Sequence, residues 1–261
     1  MIKFSIITVC LNAGDDLVDT VTSTLEQTYE NFEIIVKDGL SSDGSVERLP
    51  ADPRIRLIRQ KDTGIYDAMN QGIQEATGDF CLFINAGDGF YEPSTLKQIV
   101  DFIDTKEGDF FYGKSYTQSS GVTNYGPAEI TKFFCYRTTM CHQAMVIRMD
   151  ALKARGYDTG YKISAEREWM LYAFIQAKLK FVRMPILVSR YKGEGVSSGN
   201  AVVSAVREEM KRINKVHFSA YERFKYGTMR AITLPGLRSG ISRNPKYKKL
   251  YYSIRYKFLS R

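Results

Sequence analysis

The side chains able to do chemistry in this sequence gather where apolar runs end. Gly78-Asp79-Phe80-Cys81-Leu82-Phe83-Ile84-Asn85-Ala86-Gly87-Asp88-Gly89 carries five consecutive apolar residues that stop at an amide, a carboxylate and two glycines. Such a run reads as a strand buried on both faces, and the glycines let other groups approach the backbone where Asn85 and Asp88 emerge. Two earlier runs end alike. Phe4 to Val9 leads to Asn12, and Phe32 to Val36 leads to Lys37-Asp38-Gly39-Leu40-Ser41-Ser42-Asp43-Gly44. Amides, hydroxyls and carboxylates converging on one edge suit a ribonucleotide, with carboxylate or amide to base and ribose, and an acid plus a cation to the phosphates. Further along, Cys141-His142-Gln143-Ala144 forms a polar knot before a strand, and Glu166 and Glu168 open a helix. There is no Gly-x-Gly-x-x-Gly after the first strand and no Gly-Lys-Ser/Thr loop, so dinucleotide-binding and P-loop readings lose their main signal.

The elements that must position these groups alternate. The spacing predicts strands at 4–9, 32–36, 55–58 and 80–84, with helices over 15–27 and 65–76 between them. Strands alternating with helices mean βαβ units and a mainly parallel sheet, in which successive strand tips share an edge and can bind a ligand there. Beyond Asp88 the expectations are a helix over 93–103, a strand over 109–116, a loop or hairpin at 119–125 and a helix from 164 to about 177. One or two short strands interrupted by Pro185 follow within 181–191, then a glycine-serine loop and a long helix from about 201 to 216.

Composition narrows the class. A chain of 261 residues, 44% hydrophobic and 13% aromatic, can build a sizeable core, which excludes global disorder. Cys10, Cys81, Cys135 and Cys141 are scattered without metal or disulfide spacing and read as reduced, mostly buried thiols of a cytoplasmic protein. No leader peptide is visible, and no stretch approaches the roughly 20 apolar residues that span a bilayer. Charge is uneven. Residues 207–261 hold 15 Lys+Arg against three acids, a net of +12, leaving 22 basic and 26 acidic residues, a net of −4, in 1–206. The basic part interleaves Tyr221, Phe224, Tyr226, Tyr247, Tyr251, Tyr252, Tyr256 and Phe258 with Lys and Arg, as an interfacial segment on anionic lipid does. The same composition would serve nucleic acid. The acidic body favours lipid and no nucleic-acid partner.

The order of motifs resembles the family 2 glycosyltransferases of GT-A fold over roughly residues 1–200. The resemblance rests on Ser5-Ile6-Ile7-Thr8-Val9 with Asn12, on Val36 to Gly44, on Gly64-Ile65-Tyr66-Asp67-Ala68-Met69-Asn70-Gln71-Gly72, on Ala76 to Asp79 and on Asn85 to Asp88. The Asn-x-Gly-Asp form with Cys141-His142-Gln143-Ala144 resembles the bacterial branch that makes colanic acid, capsule or O-antigen. It implies a nucleotide-diphosphate sugar, most often of UDP, a lipid-linked glycan acceptor, and Mn²⁺ or Mg²⁺. Asp38 then partners the base, Asn85 and Asp88 fall on the metal and ribose motif with Asp88 the metal ligand, and Glu166 falls where the family places its catalytic base. Thr8, Asn12, Ser41, Asp67 and Asn70 join the donor-binding set, and His142, Gln143 and Glu168 the acceptor or donor contacts. Two departures are visible: Asn85 and Gly87 stand where carboxylates are usual, and Glu166 stands for Asp.

Displacing a nucleoside diphosphate from an anomeric carbon needs stabilisation of the charge on the leaving diphosphate, normally by Mg²⁺ or Mn²⁺, and a carboxylate on the opposite face to deprotonate the acceptor. One displacement inverts the centre. Other roles are open for several residues. Asp38 could cap a helix, Glu166 could be a first-turn acid that the helix end keeps ionised, His142 could be a half-buried hydrogen-bonded histidine, and Asp67 and Asn70 could satisfy backbone. The expectation is a GT-A transferase domain at 1–216 with a basic, membrane-surface extension at 217–261, peripheral on the cytoplasmic face. The alternative is a nucleotide-sugar-binding protein whose transferase activity is weak or lost. The oligomeric state is not legible.

Overall fold

The computed structural model describes residues 1–192 and 200–232. Four strands, β1 (Phe4–Cys10), β2 (Phe32–Asp38), β3 (Ile55–Arg59) and β4 (Phe80–Phe83), run parallel in the order β3-β2-β1-β4. Helices α1 (Asp15–Leu25) and α2 (Ile65–Glu75) make the crossovers after β1 and β3. Both β1 and β2 are buried along their whole length, which is why they read as continuous runs rather than alternating ones. The parallel α/β core is as the sequence implies.

The second half of the chain extends the sheet. Strands β5 (Asp88–Phe90), β6 (Phe110–Thr117), β7 (Val122–Asn124), β8 (Met145–Arg148) and β9 (Phe181–Tyr191) continue it as β4-β8-β6-β9-β5, with β7 a hairpin partner of β6. β8 is antiparallel to β4 and β6, β9 is parallel to β6, and β5 runs antiparallel to β9. The span 181–191 is one strand. Pro185 is accommodated in a register shift, where Tyr112↔Arg183 is followed by Lys114↔Leu187, so its missing N–H interrupts no ladder.

The remaining helices are α3 (Thr95–Ile103), α4 (Lys132–Arg137), α5 (Met149–Arg155), α6 (Ala165–Leu171), α7 (Asn200–His217) and α8 (Ala220–Ile232). α6 continues as a π-turn over Tyr172–Gln176. At six and seven residues, α4 and α5 are too short to carry a periodic signal, and the sequence pattern does not foretell them.

Two apolar clusters sandwich the sheet. Leu17 and Val21 of α1 and Leu96, Ile99 and Val100 of α3 pack with Phe4, Ile6 and Ile34 on one face. Met69 and Ile73 of α2, Leu152, Trp169 and Ile213 pack with Ile7, Val9 and Ile35 on the other. Alternation along β1 sends Phe4 and Ile6 one way and Ile7 and Val9 the other. At the turn before β4, a Cβ on Gly78 would lie 2.7 Å from the Ser5 amide, so only glycine lets this turn close on β1.

The C-terminal helices are packed on this body. Phe218, 2% exposed, belongs to the α2-side cluster, Tyr226 packs at a tilt on Tyr136 with ring centres 5.5 Å apart, and Lys132 pairs with Glu222 at 2.7 Å. The rest of the expected extension, including Tyr247 to Phe258, lies outside the described residues.

Candidate active site

The tips of β1 and β4, the start of α2 and the segment 138–143 enclose a cavity of about 880 Å³, into which Asn85, Asp88, His142, Gln143 and Glu166 open. Its floor is the turn Asn85-Ala86-Gly87-Asp88. α1 organises that turn through Thr20, whose buried hydroxyl donates to the Asp88 carbonyl at 2.7 Å and accepts from the Gly87 amide at 3.0 Å. Gly87 adopts φ +90°, and a Cβ there would meet the Asp16 carboxylate at 3.1 Å, so this close approach needs glycine.

The Asp88 carboxylate accepts from Gln143 Nε2 at 2.8 Å. Burial pushes it up to about 6; the Gln143 hydrogen bond opposes the rise, Asp16 adds to it and Lys192 opposes it. Beside it Asp16 is ion-paired to Lys192, and both line the cavity. Asn85 Oδ1 is buried without a hydrogen-bond partner, an acceptor that a water, an ion or a ligand in the cavity can satisfy.

Among the described residues no cluster of three or more His, Cys, Asp or Glu is arranged around a metal. The cavity does offer one carboxylate and one orphaned amide oxygen, Asp88 and Asn85, at a single turn. Small hard cations are commonly held by one or two carboxylates with substrate phosphates supplying other ligands. The donor set fits an ion shared with a diphosphate.

The rim at the tips of β1 and β2 is a polar knot. The Asn12 amide donates to Ser41 Oγ at 2.8 Å, and Asn12 Oδ1 accepts from the Ser42 amide at 2.9 Å. Asp38 is fully buried, accepting from the Ser41 amide at 3.0 Å, from the Ser41 hydroxyl and from Arg59 Nε at 3.2 Å. Expected to bind the donor, these three residues instead bond one another and brace the rim from behind without lining the cavity, whose adjoining wall is Cys10, Leu11 and Ala13. Buried Lys37 bonds Asp62 at 3.0 Å and so fixes another carboxylate on that wall.

At the opposite side stands Glu166, two residues into α6. Its carboxylate accepts a hydrogen bond from the Tyr66 hydroxyl. Burial pushes its pKa up; the Tyr66 bond opposes the rise and Glu209 adds to it. This corrects the expectation that the helix end dominates: desolvation outweighs it. His142 stacks on Phe83 at 4.7 Å with Nε2 2.9 Å from the Tyr157 hydroxyl, and burial depresses it to about 4, so it is neutral near pH 7.

Several expected contacts do not reach the cavity. Thr8 donates to the Ile84 carbonyl at 2.7 Å between two strands. Asp67 accepts from the Thr63 amide at 2.8 Å and ties down the entry to α2, and Asn70 clasps the Tyr157 backbone with two bonds of 2.8 Å. Glu168, 2% exposed, turns to Arg155 at 2.8 Å and His217 at 2.9 Å, where no substrate reaches it. Tyr66, Asp16, Asp62 and Lys192 line the cavity without having stood out in the sequence. A first-turn acid facing a glycine turn was the available signal for Asp16; none existed for Lys192, 176 residues away from its partner.

The family model for glycosyl transferase family 2 matches residues 5–167. The chain belongs to that family. A "PGL/p-HBAD biosynthesis glycosyltransferase" of Mycobacterium bovis is 30% identical over 217 residues, 80% of this chain and 83% of the relative. The glycosyltransferase YibD of Escherichia coli is 39% identical over 93 residues, 34% of this chain and 27% of the relative. Among solved structures, S. aureus TarS 1-349 in complex with UDP-GlcNAc superposes with a TM-score of 0.64 at 19% identity, over 79% of this chain and 65% of that one. This chain thus spans slightly less than two thirds of that TarS chain. Mannosyltransferase PcManGT from Pyrobaculum calidifontis, in complex with GDP-Man and Mn2+, gives 0.60 at 13% identity over 98% and 87%. These neighbours share the fold, and the fold is GT-A.

Proposed function

We propose that the protein is an inverting glycosyltransferase that moves a sugar from a nucleotide diphosphate, UDP by preference, to a hydroxyl of a lipid-linked glycan. The observation that carries this reading is that Asp88 and Glu166 open into one cavity while Asn85 keeps a buried oxygen without a partner. The likeness to TarS in complex with UDP-GlcNAc supports UDP, and the similarity to a PGL/p-HBAD biosynthesis glycosyltransferase supports a lipid-linked acceptor. The colanic-acid, capsule and O-antigen assignment rests on motif resemblance alone.

In this reading Asp88 and Asn85 are the residues that would hold Mn²⁺ or Mg²⁺. The ion, when bound, supplies Lewis-acid stabilisation of the leaving phosphate oxygens. Lys192 brings a cation to the same end from β9, held by Asp16. Gln143 holds one oxygen of the Asp88 carboxylate and so orients the side chain within the cavity. Asp38, Asn12 and Ser41 keep the base end of the rim rigid. Glu166, ionised, takes the acceptor proton as the hydroxyl attacks the anomeric carbon from the face opposite the leaving group.

Membrane contact is assigned to the basic C-terminal part. Tyr221 and Phe224 are 72% and 75% exposed on α8, near Lys225, and no described helix is long and apolar enough to cross a membrane. Aromatic and basic side chains on one surface helix suit anionic headgroups on the inner face of the cytoplasmic membrane.

The test is a panel of nucleotide sugars scored for donor hydrolysis and thermal stabilisation, with and without Mn²⁺. One UDP-sugar hydrolysed faster with Mn²⁺ supports the proposal. Stabilisation by a nucleotide sugar with no turnover under any metal condition would favour a binding protein that has lost transfer.

A further inference from the structure

Given Glu166 as the base, we propose that Tyr66 is its positioning residue: the phenol holds one carboxylate oxygen of Glu166, sets the direction of the other, and keeps the carboxylate an anion inside a water-poor cavity. The proposal rests on the base assignment above and adds a residue to it.

The phenol is built into place from several directions. α2 starts after Gly64, where Asp67 accepts from Thr63 and fixes the first turn. Tyr66 is the second residue of that helix, 6% exposed, with its hydroxyl at the cavity wall. Its ring packs at 5.7 Å on Tyr157, whose backbone Asn70 clasps on both sides and whose hydroxyl meets His142 at 2.9 Å. His142 in turn stacks on Phe83 of β4. A continuous file, Phe83–His142–Tyr157–Tyr66–Glu166, therefore runs from the sheet to the carboxylate. It gives a task to Asn70 and His142 that needs no contact with substrate.

The chemistry requires such a donor. Glu166 is desolvated, and burial favours its protonated form, which cannot accept the acceptor proton. The groups around it are few. Tyr157 and Cys141 are both held neutral by burial, Glu209 of α7 adds negative charge nearby, and Lys162 lines the same cavity. The hydrogen bond from Tyr66 is the leading influence opposing burial. Burial and the Glu166 charge push Tyr66 itself far above the usual phenol range, so it stays a donor at every working pH. A phenol donating to a carboxylate makes a charge-assisted bond, stronger than a neutral one.

The experiment is the pH profile of transfer from pH 5 to 9.5 at saturating Mn²⁺ and donor, for wild type, Tyr66→Phe and Glu166→Gln. In Tyr66→Phe the acid limb should move up by about one to two pH units, the equivalent of one charge-assisted hydrogen bond. The rate at pH values below the wild-type limb then falls roughly 10- to 100-fold and recovers in alkali. The donor dissociation constant should stay within about twofold, since Tyr66 acts through the base and not the nucleotide. A limb that stays in place, whether the rate drops evenly at all pH values or not at all, overturns the proposal and leaves Tyr66 a packing residue. If Tyr66→Phe does not fold, site-specific difluorotyrosine at position 66 replaces it. That stronger donor of nearly the same shape should move the limb to lower pH, and an unmoved limb overturns the proposal equally. Glu166→Gln separates the two layers: normal turnover there removes the base assignment, whereas a dead Glu166→Gln beside an unshifted Tyr66→Phe removes only the role of Tyr66.

Discussion

Thr20→Val is the sharpest probe of how α1 builds the site. Valine keeps the shape of a fully buried threonine and removes its hydroxyl. That hydroxyl donates to the Asp88 carbonyl and, more weakly at 3.3 Å, to the Asn85 carbonyl, while accepting from the Gly87 amide. Leaving a buried donor or acceptor unsatisfied costs about 1–3 kcal/mol. The Gly87 amide retains a second acceptor, the Asp16 carbonyl at 3.2 Å, so the loss falls mainly on the Asp88 carbonyl. The expected destabilisation is about 1–3 kcal/mol in urea unfolding, with an unchanged slope. Since the same bonds set the turn, the Mn²⁺ concentration for half-maximal donor hydrolysis should also rise several-fold. Thr24→Val is the control: Thr24 is equally buried one turn on, but its hydroxyl only supplements the Thr20 carbonyl within the helix. It should cost under about 1 kcal/mol and leave the Mn²⁺ dependence alone. Equal losses in the two variants, or no change in Mn²⁺ dependence for Thr20→Val, would refute the claim that α1 holds the Asn85–Asp88 turn.

Three further outcomes follow from the same geometry. Asp38→Ala should loosen the rim that Asp38 braces through Ser41 and Arg59 and so weaken nucleoside diphosphate binding, measured calorimetrically, while the rate at saturating donor changes less; an unchanged dissociation constant would show that the brace does not shape the donor site. Asp88, raised to about 6 by burial, is protonated below that value, so Mn²⁺ affinity in the presence of nucleoside diphosphate should rise as pH passes upward through about 6. A flat affinity between pH 5 and 7.5 would show that Asp88 is not the ligand. Replacing the exposed Tyr221 and Phe224 of α8 by serine together with deleting residues 233–261 should release the protein from anionic liposomes, and retained sedimentation would assign membrane contact elsewhere.

Legibility in the sequence followed the range of the interactions. The apolar runs of β1, β2 and β4 and the glycine-bounded turn after β4 are local patterns, and the positions of Asn85 and Asp88 could be read from them. Glu166 was within reach because the segment from Ser164 to Trp169 has a helix start and an inward apolar face, and Trp169 and Met170 are indeed buried. Glu168 was misjudged because the partners that claim it, Arg155 and His217, come from α5 and α7, and nothing local announces them. Asp67 and Asn70 sit in a motif whose spacing is visible; Asp67 turns to the Thr63 amide four residues back, whereas only Tyr157, far along the chain, reveals that Asn70 serves backbone. The ionisation of Glu166 escaped for a similar reason: the helix end is local, but the burial that overrides it is assembled from α2, the 138–143 segment and α7. Asp16 and Lys192 met only once β9 was laid beside β5.

The central claim is that Glu166 takes the acceptor proton in a cavity whose other end binds the nucleotide. Glu166→Gln keeps the length and shape of the side chain and removes the proton acceptor. The decisive measurement is transfer rate and donor dissociation constant on the same preparation, at saturating Mn²⁺ and at a pH where the wild type is fully active. The account predicts a rate lower by about 10²–10⁴-fold with donor affinity within about twofold. A Glu166→Gln enzyme that transfers sugar at the wild-type rate would contradict it.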